Sequence, residues 1–88
     1  MPSRIRVLLG RNVCRLRNLR KLTQEQLAAR LGMDRRYVQR IEAGKARPAP
    51  EVIIGLPLAL EASWTELMHG GPDALSDWRR MRDEDKSE

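Results

Sequence analysis

Eighty-eight residues fit one small domain with a single core, and a 41% hydrophobic content is enough to fill it. There is no Phe, and Tyr37, Trp64 and Trp78 are the aromatics, so packing rests on Leu, Ile, Val and Ala, which suits helices better than a β-sandwich. Net charge is +5, but residues 1–50 hold 13 cations and 3 acids while residues 51–88 hold 4 cations and 9 acids, which excludes a uniformly cationic membrane coat and points to an anionic partner for the first half.

In chain order, Leu9, Val13, Leu16 and Leu19 recur at helical spacing and predict a first helix from Leu9 to Arg20. Thr23-Gln24-Glu25-Gln26 reads as a capping box that opens a second helix, which runs to about Leu31 and is stopped by Gly32. Asp34 is placed to cap a third helix over about residues 35–43, with Val38 and Ile41 as its buried stripe and Gly44 ending it. The basic, proline-rich loop Lys45 to Pro50 leads into a fourth helix whose apolar face is Val52, Ile53, Leu56, Ala59 and Leu60. Pro57 within it, close to Gly55, predicts a kink or an early break.

A second capping box, Ser63-Trp64-Thr65-Glu66, opens a short fifth helix that Gly70-Gly71-Pro72 ends. Residues 73–82 predict one more short helix with Leu75, Trp78 and Met81 on one side, followed by a frayed acidic end. The expected fold is all-α: a compact bundle of five helices, with residues 1–70 as the domain and 71–88 as a C-terminal extension. No apolar run reaches membrane-spanning length and no secretory leader is evident, so a cytoplasmic protein is expected.

Catalysis and metal binding find little support. One Cys and one His cannot make a zinc site, Cys14 reads as a small core residue and His69 as a solvated helix-end residue. There is no Gly-rich phosphate loop and no convincing carboxylate pair, so neither an enzyme nor a cofactor is expected.

Two short helices joined by a tight, Gly-containing turn in a basic half-chain form a helix-turn-helix arrangement. The run Leu22-Thr23-Gln24-Glu25-Gln26-Leu27-Ala28, Leu31-Gly32, Val38, Arg40-Ile41-Glu42, Gly44-Lys45 and Pro48 resembles the Cro/CI-type (XRE-like) helix-turn-helix domain of phage repressors and bacterial regulators. That resemblance covers about residues 8–68 and implies a lambda-repressor-like DNA-binding domain. The pattern of Asp34-Arg35, Tyr37 and Ile41-Glu42 is similar to the controller proteins of restriction-modification systems.

A recognition helix presents its i, i+1, i+4 and i+5 side chains to the major groove, here Arg35, Arg36, Gln39 and Arg40. Arg pairs with O6 and N7 of guanine and Gln with N6 and N7 of adenine, so these four are the candidate base readers and the half-site is expected to contain guanine. Arg40, one turn deeper, is placed either for a base or for a phosphate. Thr23 and Gln24 at a helix N-terminus suit one phosphate, and the resemblance implies a backbone contact for Gln24. Lys45 and Arg47 suit a second phosphate. Tyr37 is either plain packing or half-core with its hydroxyl turned to a phosphate.

The resemblance also implies a structural ion pair between Arg17 and Glu42. Three positions depart from the family pattern: Lys21 stands where Gly is usual, Pro57 at a helix-former position and Leu58 where a polar residue is common. Leu58 and Trp64 leave apolar surface that in short members of this family forms the dimer contact, and Trp78 either joins that interface or folds back over its own core. A homodimer on a double-stranded, pseudo-palindromic operator is expected, because one recognition helix touches few base pairs. The cations of residues 4–47 are expected around the DNA-facing helices and loops, with the acids away from phosphates. The chain is too short for a ligand-sensing domain, so no small-molecule effector is expected. Whether such a regulator represses or activates depends on where its operator lies. The alternative function is a protein-binding antitoxin or antiactivator on the same scaffold.

Overall fold

The computed structural model describes residues 4–70 and, beyond them, Arg79. The described residues form five α-helices and no strand: α1 Arg4–Leu19, α2 Gln24–Leu31, α3 Arg35–Glu42, α4 Pro50–Leu60 and α5 Trp64–Leu67. None is long and apolar enough to cross a membrane. The expected sixth helix, with Leu75, Trp78 and Met81, and the extension 71–88 lie outside the described residues.

α1 begins at Arg4, not at Leu9. Ile5 carries the stripe of Leu9 back by one turn, and Gly10 sits inside the helix because α3 crosses it there: a Cβ on Gly10 would collide with the Ile41 carbonyl oxygen and come within 2.9 Å of that of Glu42. At the other end, Leu19 is 61% exposed, contrary to its place in the expected stripe. It lies about 80° round the helix from Leu9 at 3.6 residues per turn, past the edge of the core.

Lys21 takes φ 58° after α1, so the chain tolerates a left-handed residue where glycine would be unstrained. The Thr23 capping box forms in both arms: Thr23 Oγ1 accepts from the Gln26 amide at 3.0 Å and the Thr23 amide donates to Gln26 Oε1 at 2.8 Å. Gly32 ends α2 at φ 67°, and Asp34 Oδ1 accepts from the Arg36 amide at 2.6 Å to open α3.

The core lies between these helices. Val13, Leu16, Leu27, Val38, Leu56, Leu60 and Leu67 are fully buried, each worth about 1.5–3 kcal/mol against exposure. α3 packs on α1 and α2, α4 on α2 and α1, and α5 on α1.

α4 runs unbroken through Pro57, so of the expected kink or early break, the break is absent. Leu56 and Leu60, both buried, hold the turns on either side of the proline, and packing outweighs its local penalty of roughly 3 kcal/mol. Ile53, expected on the buried face, is exposed. α5 has half of its expected capping box: Ser63 Oγ accepts from the Glu66 amide at 3.1 Å, while the Glu66 carboxylate meets the Ser63 hydroxyl rather than its amide. It stops at Leu67, ahead of the glycines. Asn12 Nδ2 donates to the carbonyls of Leu67 and His69 at 2.7 and 2.8 Å, and Arg15 donates to that of Glu66 at 3.1 Å.

Candidate nucleic-acid interface

The α2 capping box, Gly32 and the Asp34 cap set the angle of α2 to α3, and Leu27, Ala28, Val38 and Ile41 lock it by burial. Val38 and Ile41 take the inner face of α3, so Arg35, Arg36, Gln39 and Arg40 are left together on its exposed outer face. Three guanidiniums and one amide on a single helix side are the donors that major-groove reading needs. Arg35 also meets Glu25 of α2, Nη1 to Oε1 at 3.6 Å, with both side chains more than half exposed. An exposed pair of this kind adds little stability and does not hold Arg35 away from another partner.

Thr23 and Gln24 line an open depression of about 370 Å³ with Arg17, Glu25 and Arg35. Its lining includes the start of α2, where the first amides lack intrahelical partners and the helix dipole favours an anion. The Gln24 side chain is turned inward, Nε2 donating to Glu42 Oε1 at 3.1 Å, which leaves Thr23 and the backbone as the outward groups.

The loop after α3 is pinned at several points. Gly44, at φ 73°, sits so close to α1 that a Cβ would lie 3.0 Å from Val7, and Ala46 is buried. The Tyr37 hydroxyl accepts from the Ala49 amide at 3.0 Å. Tyr37 is half-buried against the core, and its hydroxyl clamps the loop while keeping one O–H to donate. With Ala46 facing inward, Lys45 and Arg47 on either side face solvent.

Arg17 and Glu42 meet between α1 and α3, with Nε to Oε2 at 2.6 Å and Nη2 to Oε1 at 3.2 Å. Side-chain exposure is 12% and 8%, and Arg17 Nη1 also donates to the Leu22 carbonyl at 2.8 Å. The hydrogen bond to Glu42 raises the Arg17 pKa above its ordinary value, outweighing the opposing effect of burial. Cys14 is half-buried beside this pair rather than in the core.

On α4 and α5, Leu58 is 77% and Ile54 69% exposed, with Ile53 and Trp64 also exposed. Trp78 lies outside the described residues.

Sequence reasoning missed Glu25, Gly10 and Asn12. Gly10 and Asn12 left a signal, a glycine and an amide on the inner side of an amphipathic helix. The approach of Glu25 to Arg35 depends on an interhelical angle and left none.

The helix-turn-helix family model matches residues 15–67 of this chain. An uncharacterised HTH-type transcriptional regulator of Sinorhizobium fredii, y4dJ, is 38% identical over 64 residues, 73% of this chain and 83% of that one. The restriction-modification controller protein C.AhdI of Aeromonas hydrophila superposes with a TM-score of 0.65 at 35% identity, covering 70% of this chain and 94% of that one. The hypothetical transcription factor NHTF of Neisseria gives 0.66 at 30% identity, covering 73% and 74%.

Proposed function

The chain belongs to the helix-turn-helix family of DNA-binding transcriptional regulators, and from that premise we propose that it reads a pseudo-palindromic operator in double-stranded DNA as a homodimer, with α3 in the major groove. The observation that carries this reading is the outer face of α3, where Arg35, Arg36, Gln39 and Arg40 converge while Val38 and Ile41 anchor the helix from behind. Arg35 and Arg36, nearest the N-terminus of α3, are the guanine readers, Gln39 takes an adenine, and Arg40 takes a base or the adjoining phosphate. Thr23 with the α2 amides, Lys45, Arg47 and the Tyr37 O–H take phosphates, and Gln24 acts through Glu42 as well as through its amide. The Arg17–Glu42 pair holds α3 on α1.

Leu58, Ile54 and Trp64 supply the subunit contact in this reading, because their exposed apolar surface sits on α4 and α5 and not on α3 or its basic loop. Site selection from random duplexes tests the whole proposal. A two-fold, guanine-containing motif is expected, lost when Arg35 and Arg36 are both replaced by Ala, and Leu58→Glu is expected to leave a folded monomer with weak operator affinity. With roughly 6–10 phosphate contacts per dimer, affinity falls about 10³- to 10⁵-fold from 50 to 200 mM salt. Selection that enriches no motif, or binding indifferent to the double Arg replacement, refutes the DNA-reading function and leaves the protein-binding alternative.

A further inference from the structure

α1 carries cations that the DNA-facing surface does not use. Its N-terminal half crosses α3 through Gly10, whereas Asn12 and Arg15 reach the other way, to the carbonyls that end α5. On that second side a groove of about 270 Å³ opens between α1 and the turn after α5, lined by Leu8, Arg11, Asn12, Arg15, His69 and Gly70. Leu8, half-buried, provides apolar surface beside Gly70: a Cβ on Gly70 would lie 3.6 Å from Leu8 Cδ1. Arg11 and Arg15 are exposed, and no hydrogen bond or ion pair joins the Arg11 side chain to another described residue. The groove is smaller than the roughly 300–1,000 Å³ of small-molecule sites and is sized for one or two side chains.

The chain itself supplies matching chemistry at once. Gly70 lines the groove, and the next eight residues, Gly71 to Trp78, contain Asp73 and Asp77, no cation, and the apolar Leu75 and Trp78. Eight residues reach at most about 28 Å, ample to cross a groove that begins where the segment starts. The groove residues Leu8, Arg11 and Asn12 and the segment 73–78 all fall outside residues 15–67, the part shared with the helix-turn-helix family.

We propose that this groove is the docking site for residues 73–78 of the same chain, with Trp78 covering Leu8 and Asp73 and Asp77 facing Arg11 and Arg15. Docking there neutralises cations that would otherwise attract DNA on a face that cannot read it. It also takes Trp78 away from the subunit contact.

In the full-length Trp64→Phe protein Trp78 is the sole tryptophan, and its emission and acrylamide quenching report the docking. The expected result is blue-shifted emission and quenching several-fold slower than free indole, both unchanged as protein concentration is varied through dimer dissociation. Arg11→Asp should raise quenching severalfold with helical content unchanged, and adding Asp73→Arg or Asp77→Arg to it should restore protection. Quenching equal to that of free indole overturns the proposal. Protection that appears only as dimers form assigns Trp78 to a subunit interface and overturns it equally. In the same protein, amide shifts of Arg11 and His69 should move when Asp73 and Asp77 are both replaced by Asn, and unmoved shifts also refute the docking. None of these outcomes touches the operator-selection result, so the two proposals stand or fall separately.

Discussion

Glu42→Ala should destabilise the domain before it alters what the domain reads. The carboxylate accepts two hydrogen bonds from Arg17 and one from Gln24, and its removal leaves a guanidinium with 12% side-chain exposure holding only the Leu22 carbonyl and its contact with Cys14. Breaking a buried pair by deleting one partner costs about 3–5 kcal/mol. Arg17 also lines the open depression at the start of α2, so water reaches one edge of it and the low end, about 3 kcal/mol, is expected. For a domain of this size each kcal/mol moves the melting temperature by about 4–8 °C, so the midpoint should fall by about 12–24 °C. Circular dichroism at one fixed protein concentration measures it, since dimerisation would otherwise shift the midpoint.

The raised Arg17 pKa contributes stability that is fully present below the ordinary arginine range and is lost only as pH climbs through the raised value, so the deficit of the variant should not change across neutral pH. Arg17→Met with Glu42→Leu removes both charges and should recover most of the loss. A cost under about 1 kcal/mol, or a changed base preference with the midpoint unmoved, refutes a structural role for the pair.

Three further substitutions probe other parts of the architecture. Gly10→Ala drives a methyl into the Ile41 carbonyl at the α1–α3 crossing and should cost at least the 1–3 kcal/mol typical of overpacking; a denaturation midpoint within error of the native one would show that the helices part easily. Lys21→Gly relieves a left-handed residue costing about 1–2 kcal/mol and adds about 0.5–1 kcal/mol of unfolded-chain entropy, for a net gain of about 0.5–1 kcal/mol in urea unfolding. Glu25→Gln removes the carboxylate beside Arg35, so affinity for random DNA should rise and the log–log salt slope should steepen by about 0.9 if one more phosphate is engaged, while an unchanged slope excludes that engagement.

What the sequence made legible was local chemistry. Thr23, Gly32 and Asp34 act within three or four residues of themselves, so the bounds of α2 and the start of α3 follow from residue type alone. The outer face of α3 was equally legible, because Val38 and Ile41 leave only one side for Arg35, Arg36, Gln39 and Arg40. Features that depend on a distant partner were not. Gly10 acquires its meaning from carbonyls 31 and 32 residues away, Asn12 from two more than 50 residues away, and Pro57 was judged on its local penalty without the packing that overrides it.

The basic half of the chain then divides in a way that net charge conceals. Arg15 donates to the carbonyl of Glu66, Arg17 to Leu22, Arg20 to Leu60 and Glu61, and Arg30 to Ala59. Each of these groups satisfies backbone acceptors at or just beyond the C-terminal end of α1, α4 or α5, where a cation also meets the negative pole of the helix. The task suits arginine better than lysine, since one planar fork reaches two acceptors at fixed angles, as Arg20 does at 3.0 and 2.7 Å. It accounts for four of the 14 Arg without appeal to DNA. The expectation that the cations of residues 4–47 gather around the DNA-facing helices is therefore too broad. Arg35, Arg36, Arg40, Lys45 and Arg47 face outward on α3 and its loop, while Arg20 and Arg30 tie α1 and α2 to the end of α4. Through those two side chains, the helix that carries exposed apolar residues is tied to the helices packed against α3.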